Sequence, residues 1–339
     1  MGYDLLEDKP SLRMGTKNKT GAKRTLTQEV KLLNKKWSSL VWALVALVLL
    51  LSIGNPVQML TMSFAAIPFV ILFATLSVGA AIIYVAALLA IVFLLMGTVG
   101  SVVALASLYF IIPAIVIGIM FKRKRAAWNV FAAGTLAFLI ESILLLAFAK
   151  VAFDFNFAEF LRTQVDASVA TLESAIPSGI NMDMIDLVIK QMNMMLPVML
   201  IMSALYMGTV TYAISRRLLT AQGADVNRMR PIKHWMLPKS LLWYYLIVII
   251  LELVMSGNTD SSFLSIILLN LSPLLQLAFI VQGISFVFFL ADFKRWNRAV
   301  PVLITIAVIF IPLLYGLVRI IGIIDLAFPL RQVVSRPKQ

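Results

Sequence analysis

The chain has no cysteine and a single histidine, His234. The first absence excludes disulfides, thiolate metal sites and cysteine nucleophiles. One histidine without neighbouring carboxylates or thiols leaves no ligand set for a metal, so neither metal nor cofactor is expected. Charge is scarce as well. Only 13% of residues are charged, against about 25% in soluble domains, which excludes a water-soluble core with a polar shell. Also missing are G-x-x-x-x-G-K-[ST], G-x-S-x-G and H-E-x-x-H, the signatures of phosphate loops, serine hydrolases and zinc proteases. No enzymatic activity is expected.

What the chain does have is long apolar sequence, 61% hydrophobic with a mean hydropathy of +0.96. Four basic clusters punctuate it: Lys9 to Lys36, Lys122-Arg123-Lys124-Arg125, Arg216 to Lys239 and Lys294 to Arg298. Together they hold 22 of the 29 lysines and arginines. Apolar runs of about 20 residues suit a hydrocarbon layer roughly 30 Å thick, and basic loops mark its cytoplasmic side. A net charge of +13 would suggest nucleic acid in a soluble protein. Here the charge lies between membrane spans, so the expected partner is anionic lipid and no nucleic acid.

The predicted fold is all-α, a polytopic transmembrane helical bundle of eight or nine spans. Residues 1–36 form a basic cytoplasmic tail, expected to be disordered. Residues 37–333 form the membrane domain, and 334–339 a C-terminal tail. The first three spans cover about 38–53, 57–77 (with a kink at Pro68) and 79–96, turning at Gly54-Asn55-Pro56 and at Gly97 to Gly100, after which span four runs to 121. Three spans plus a re-entrant piece also fit that region. Spans five and six cover about 128–151 and 194–214, span six ending at Arg216-Arg217. Between them, residues 154–190 carry six acidic residues and two basic ones. Leu161, Val165, Leu172 and Ile176 recur there at helical spacing before Pro177-Ser178-Gly179, and Met182 to Met192 is amphipathic again. This stretch reads as an extracytoplasmic amphipathic helical hairpin.

Span seven covers 240–255, turning at Ser256-Gly257-Asn258. Span eight covers 263–290, interrupted by Ser272-Pro273. Span nine, about 300–323, would leave Arg331, Arg336 and Lys338 outside, against the charge rule. Either the rule yields there, or the chain bends back at Pro312 or Gly316.

Charges inside a bilayer cost about 2.5–3.5 kcal/mol each on insertion scales and so need a reason. Three fall within spans: Glu141, Glu252 and Arg319. At about 1.5 Å per residue, the carboxylates lie about 20 Å, and Arg319 about 30 Å, from the cytoplasmic ends of their helices. All three therefore fall at or beyond mid-membrane, in the outer half, which suits either a structural ion pair or an outward-facing polar pocket, and Arg319 could instead snorkel to the interface. Asn270, Gln276 and Gln282 add polar groups to span eight, where interhelical hydrogen bonds compete with a ligand role. Gln276 and Gln282, six residues apart, do not share a helical face. Arg216, Arg217, Arg228, Arg230, Lys233 and Trp235 read as interfacial anchors for anionic headgroups. The methionines from Met182 to Met202 read as soft packing in preference to copper ligation. Small residues (Ser39, Ala43, Ala46; Gly79, Ala87, Ala90) permit close helix packing, or a docking face for a membrane partner subunit.

Five ordered segments carry a resemblance. Arg216-Arg217-Leu218-Leu219, Pro231-x-x-x-Trp235-x-Leu237-Pro238-x-Ser240, Asn270-Leu271-Ser272-Pro273, Gln282-Gly283-Ile284-Ser285-Phe286 and Gly322-Ile323-Ile324-Asp325-x-x-Phe328 resemble the YybS-like family. These are predicted bacterial membrane proteins with a domain of unknown function, found mainly in Firmicutes. The similarity covers about residues 38–333. It implies a bacterial cell membrane protein and a link to a membrane-bound cyclic-dinucleotide phosphodiesterase encoded nearby, and it assigns no catalytic residues. A fold-level analogy extends to the S components of energy-coupling factor transporters, small apolar bundles that dock to a partner. The function expected is binding or translocation of a small solute through a pocket lined by Glu141, Glu252 and Arg319. The alternative is a non-transporting envelope scaffold.

Overall fold

Lipid offers the backbone no water, so a chain this apolar must satisfy its N–H and C=O groups internally. The computed structural model describes residues 37–173, 182–255, 263–328 and 330–335, and these residues contain helices and no strand. The expected tail 1–36, the turns at 177–179 and 256–258, and residues 336–339 lie outside the described residues, as does Ile176. The helices are α1 (Trp37–Leu51), α2 (Gln58–Thr61), α3 (Ala66–Thr75), α4 (Val78–Met96), α5 (Thr98–Lys122), α6 (Ala127–Phe153) and α7 (Phe157–Glu173). They continue with α8 (Met182–Met194), α9 (Leu196–Ala221), α10 (Ser240–Met255), α11 (Phe263–Phe293), α12 (Ala299–Phe310), α13 (Pro312–Ala327) and α14 (Leu330–Ser335). Six stretches are long and apolar enough to cross a membrane: Gln58–Thr75, α4, α5, α6, α9 and α11. The bent pair α12–α13 raises this to seven, while α1 and α10 are apolar but shorter.

The chain divides into two compact units, Met1–Arg123 with Ala213–Ala224, and Lys124–Tyr212 with Asp225–Gln339. In the first, α3 packs along α5 and is buried continuously from Ala66 to Phe73. The break in this region falls earlier than the expected kink, at a 3-10 turn over Met62–Phe64. Pro68 therefore sits in the first turn of α3, where its missing N–H removes no intrahelical bond. Lys122 Nζ donates to the carbonyl of Leu76, 2.5 Å away, meeting the orphan carbonyl end of α3 with a cation. Ser39, Ala43 and Ala46 are buried within the chain, whereas Gly79, Ala87 and Ala90 lie exposed along α4.

The second unit is organised around α11. Its buried positions, Leu268, Ser272, Leu275, Phe279 and Gln282–Gly283, follow the three-and-four spacing of one helical face. Leu275 and Phe279 pack with Tyr245 and Val248 of α10 and with Leu326 of α13. Ile280 meets Val308 of α12 and Val318 of α13. Pro273 does not interrupt α11, which runs unbroken through it. In a packed membrane helix the single backbone bond that proline removes is tolerated.

The final apolar stretch is not one straight helix. Ile311 is extended (φ −114°, ψ 104°), and α12 and α13 meet there at 118°. A residue preceding proline is pushed out of the helical region, and Pro312 then starts α13 at a position where proline suits a helix. The chain thus bends at Pro312, one of the two positions named for a turn in span nine, and not at Gly316. α9 likewise runs past Arg216-Arg217 to Ala221, so both arginines lie on a helix and not beyond its end.

Gly283 and Gly322 let α11 and α13 touch backbone to backbone. A Cβ at Gly322 would lie 1.9 Å from the carbonyl oxygen of Phe279, and one at Gly283 2.0 Å from that of Val318. This seam positions Asp325 beside Gln282.

Candidate functional site

At one end of the α11–α13 seam sits the only buried acidic side chain among the described residues. Asp325 has a fully enclosed carboxylate, held by Arg331 of α14 with Nη2 to Oδ2 at 2.9 Å and Nε to Oδ1 at 3.2 Å. Gln282 of α11 donates Nε2 to Asp325 Oδ2 at 2.5 Å and accepts the backbone N–H of Leu237 at 3.0 Å. Arg331 also donates to the carbonyl of Lys233 at 2.8 Å and to Ser285 Oγ at 3.1 Å, with its guanidinium over the Phe289 ring. The Ser285 hydroxyl lies 2.7 Å and 2.8 Å from the carbonyl oxygens of Ile232 and Trp235.

These bonds share one consequence. Four backbone groups of the segment 232–237, which has little regular structure beyond a 3-10 turn at Ile232–His234, are engaged by side chains of α11 and α14. Where such a segment packs against a helix its polar backbone groups need partners, because an unsatisfied buried carbonyl or N–H costs about 1–3 kcal/mol. Lys233 closes the segment from outside with an ion pair to Asp292 at 2.7 Å.

The fixed segment walls a cavity of about 540 Å³. Trp128 at the start of α6 and Trp235 supply rings, Met229, Met236 and Val281 supply apolar wall, and Gln282 lies at the inner side. Arg228, Arg230 and His234 are its cationic and imidazole groups, and among the described residues no carboxylate lines it. Trp235 is oriented by its indole N–H, which donates to the carbonyl of Arg230 at 2.9 Å. The preceding loop is anchored by Lys124 to Asp225 at 2.7 Å and by Asn227 donating to the carbonyls of Lys124 and Arg125. The Lys124 ammonium and its hydrogen bond hold the exposed Asp225 carboxyl below its ordinary value.

Arg319 donates to Gln276 Oε1 at 2.9 Å, and Gln276 donates to Ser272 Oγ at 3.1 Å. Its partner is an amide and not Glu141 or Glu252. Glu141 lies half-buried on α6 and Glu252 exposed on α10, and neither forms an ion pair among the described residues. No ion pair joins the three charges among the described residues. Asn270 is a clamp: its Oδ1 accepts the N–H of Val198 at 2.9 Å, and its Nδ2 donates to the carbonyls of Met194 and Ile266. It thereby meets a free N–H in the first turn of α9. Gln276 and Gln282 both reach partners on α13, despite their different azimuths on α11. Arg216 is half-buried with its Nε enclosed, while Arg217, Arg228 and Arg230 are exposed. Among the described residues no group of three or more His, Asp or Glu side chains could hold a metal ion.

Asp325, Ser285 and Arg331 were not among the sequence candidates. Asp325 lay past the expected end of span nine and so escaped the count of intramembrane charges. The available signal was the set of family-like segments: 231–240, 282–286 and 322–328 are the pieces that converge here.

α7 and α8, which fall within the stretch read as a helical hairpin, pack against each other. Leu161 and Val165 of α7 face Ile185, Ile189 and Met192 of α8 across an apolar groove, and Arg162 pairs with Asp166 and Asp186.

Residues 39–326 match the family described as "Predicted membrane protein (DUF2232)". The chain is 24% identical over 228 residues to "Uncharacterized protein YybS" of Bacillus subtilis (strain 168), covering 65% of this chain and 73% of that protein. No solved structure matches, and the analogy with transporter S components finds no support there.

Proposed function

The chain belongs to the DUF2232 family of predicted membrane proteins, and from that premise we propose that it is a ligand-binding component of a bacterial cell membrane, with its site at the basic end of the bundle. The observation that carries this reading is the 540 Å³ cavity walled by a segment whose backbone is fixed from behind by Gln282, Ser285 and Arg331. Its size suits a small-molecule site, which typically spans about 300–1,000 Å³. The proposal involves no catalytic step and no cofactor.

The proposed topology has eight spans: α1, Gln58–Thr75, α4, α5, α6, α9, α10 and α11. The pair α12–α13 is re-entrant. α1 and α10 are short for roughly 30 Å of hydrocarbon, a mismatch that local thinning can absorb. Eight crossings keep the N-terminus and all four basic clusters cytoplasmic. The bend at Ile311 returns Arg331 to the carbonyl of Lys233, on that same side. The hairpin α7–α8 is then extracytoplasmic, and the site opens to the cytoplasm and not outward.

Native mass spectrometry of the gently solubilised full chain tests the reading. A stoichiometric small molecule or lipid is expected to co-purify and to be lost when Met236→Trp fills the cavity. A protein that retains no such ligand, or retains it equally in the variant, overturns it. One observation favours a second reading, a non-transporting scaffold: Met184, Leu187 and Val188 of the hairpin are exposed apolar side chains beside its groove. In that case a membrane partner subunit should co-purify and be released when residues 154–190 are deleted.

A further inference from the structure

Resting on that cavity, we propose that its Arg228–Arg230–His234 rim binds a phosphate ester carried on an apolar body. Three observations carry the assignment. First, the two rim arginines have no counter-ion among the described residues. Around the same end Lys233 is neutralised by Asp292, Arg331 by Asp325 and Lys124 by Asp225. Arg228 and Arg230 form no ion pair among the described residues, and no carboxylate lines the cavity they border. Guanidinium groups are suited to bidentate recognition of phosphate oxygens, and the imidazole of His234 adds a third donor on the same rim.

Second, the remaining wall is apolar and aromatic. Trp128, Met229, Trp235, Met236 and Val281 would cover hydrocarbon or a ring and leave a polar ligand unsatisfied. The one neutral polar group facing inward, Gln282, is already committed to Asp325 and to the Leu237 N–H. Polar recognition is thus confined to the rim. The site is amphiphilic, with an anion at the mouth and an apolar part within.

Third, the wall is formed before any ligand arrives. Ile232, Lys233, Trp235 and Leu237 are held through their backbones by side chains of α11 and α14, and the Trp235 ring through its N–H. A site ordered in advance avoids the entropy of ordering a loop on binding. In this view the buried Asp325–Arg331 pair acts as a positioning device for the wall and does not touch the ligand.

The ligand could be the headgroup of an anionic phospholipid or a soluble phosphate ester, and the experiment separates them. The full chain in neutral detergent is titrated with octyl phosphate, below its micellar concentration, and with octanoate, following tryptophan fluorescence. Octyl phosphate should saturate, bind at least ten-fold more tightly than octanoate, and weaken at least ten-fold in Arg228→Gln/Arg230→Gln. Lys239→Gln/Lys294→Gln removes the same charge outside the cavity lining and should leave affinity unchanged. Native mass spectrometry from nanodiscs of phosphatidylglycerol and phosphatidylcholine then identifies the source. A retained phosphatidylglycerol lost in the Arg228/Arg230 variant assigns the headgroup, whereas octyl phosphate saturation without a retained lipid assigns a soluble ester. Equal binding of octanoate, equal weakening in both double variants, or no saturable binding overturns the proposal. A co-purifying ligand that survives the arginine substitutions but is displaced by Met236→Trp would overturn the phosphate assignment while leaving the cavity reading standing.

Discussion

Arg319 and Arg331 lie twelve residues apart near the end of the chain, and both reach toward α11, yet they are satisfied in different ways. Arg331 meets a fully enclosed carboxylate, a carbonyl, a hydroxyl and an aromatic ring. Arg319, deeper along the seam, meets the side-chain oxygen of Gln276. The first arrangement joins four chain segments, 232–237, α11, α13 and α14; the second joins two helices already in contact. A buried ion pair has little net value against an apolar replacement of the same shape, but removing one partner strands a charge. The end of the seam should therefore be brittle and its middle tolerant.

The sharpest way to break this comparison is Asp325→Asn, which leaves the Arg331 guanidinium without its counter-ion. A loss of about 3–5 kcal/mol is expected, read as a large fall in Tm in detergent and as new proteolytic cleavage within 231–238. Replacing both partners, Asp325→Leu with Arg331→Met, should recover part of the Tm while the segment stays cleavable. A wild-type Tm for Asp325→Asn would show that the pair organises nothing.

Next in size is Gly322→Ala. Its Cβ would lie 1.9 Å from the Phe279 carbonyl oxygen, so α13 must move away from α11 at a cost of about 1–3 kcal/mol. Hydrogen exchange should rise along both helices. Gln276→Ala should cost only about 0.5–1.5 kcal/mol, because Arg319 is partly exposed and can turn to the interface. A Tm loss equal to that of Asp325→Asn would erase the distinction between the two arginines.

The smallest expected effect concerns the exposed pair Lys124–Asp225. Lys124 lowers the Asp225 carboxyl pKa, by its hydrogen bond first and its charge second. The resulting stabilisation is full above the ordinary carboxylate range and is lost as pH falls through the lowered value. Asp225→Asn should leave the Tm at pH 7 nearly unchanged and flatten its decline in acid. High salt should mimic the substitution.

Most helices were legible along the chain. The runs that became α4, α5, α6, α10 and α11 announce themselves by hydropathy, and the turns at Gly54 and Gly97 by their residues. The interruptions were less legible. Proline marks three of them on paper: Pro68, Pro273 and Pro312. Only at Pro312 does the helix break, because whether a proline bends a helix depends on what packs around it. The polar site was hardly legible at all. Glu141, Glu252 and Arg319 fall by estimated depth in the same half of the membrane, but depth does not say which faces oppose one another.

Lipid explains the division between the two kinds of information. A solvent without hydrogen bonds forces apolar sequence into helices whatever their neighbours, and loop charges orient them; both effects are local and readable residue by residue. The partners of Asp325 are Gln282, 43 residues earlier, and Arg331, six residues later. They meet only because Gly283 and Gly322 bring two helices to backbone contact and Ile311 turns the chain back. Those contacts depend on packing angles and on the summed fit of many side chains, which no single stretch of sequence specifies.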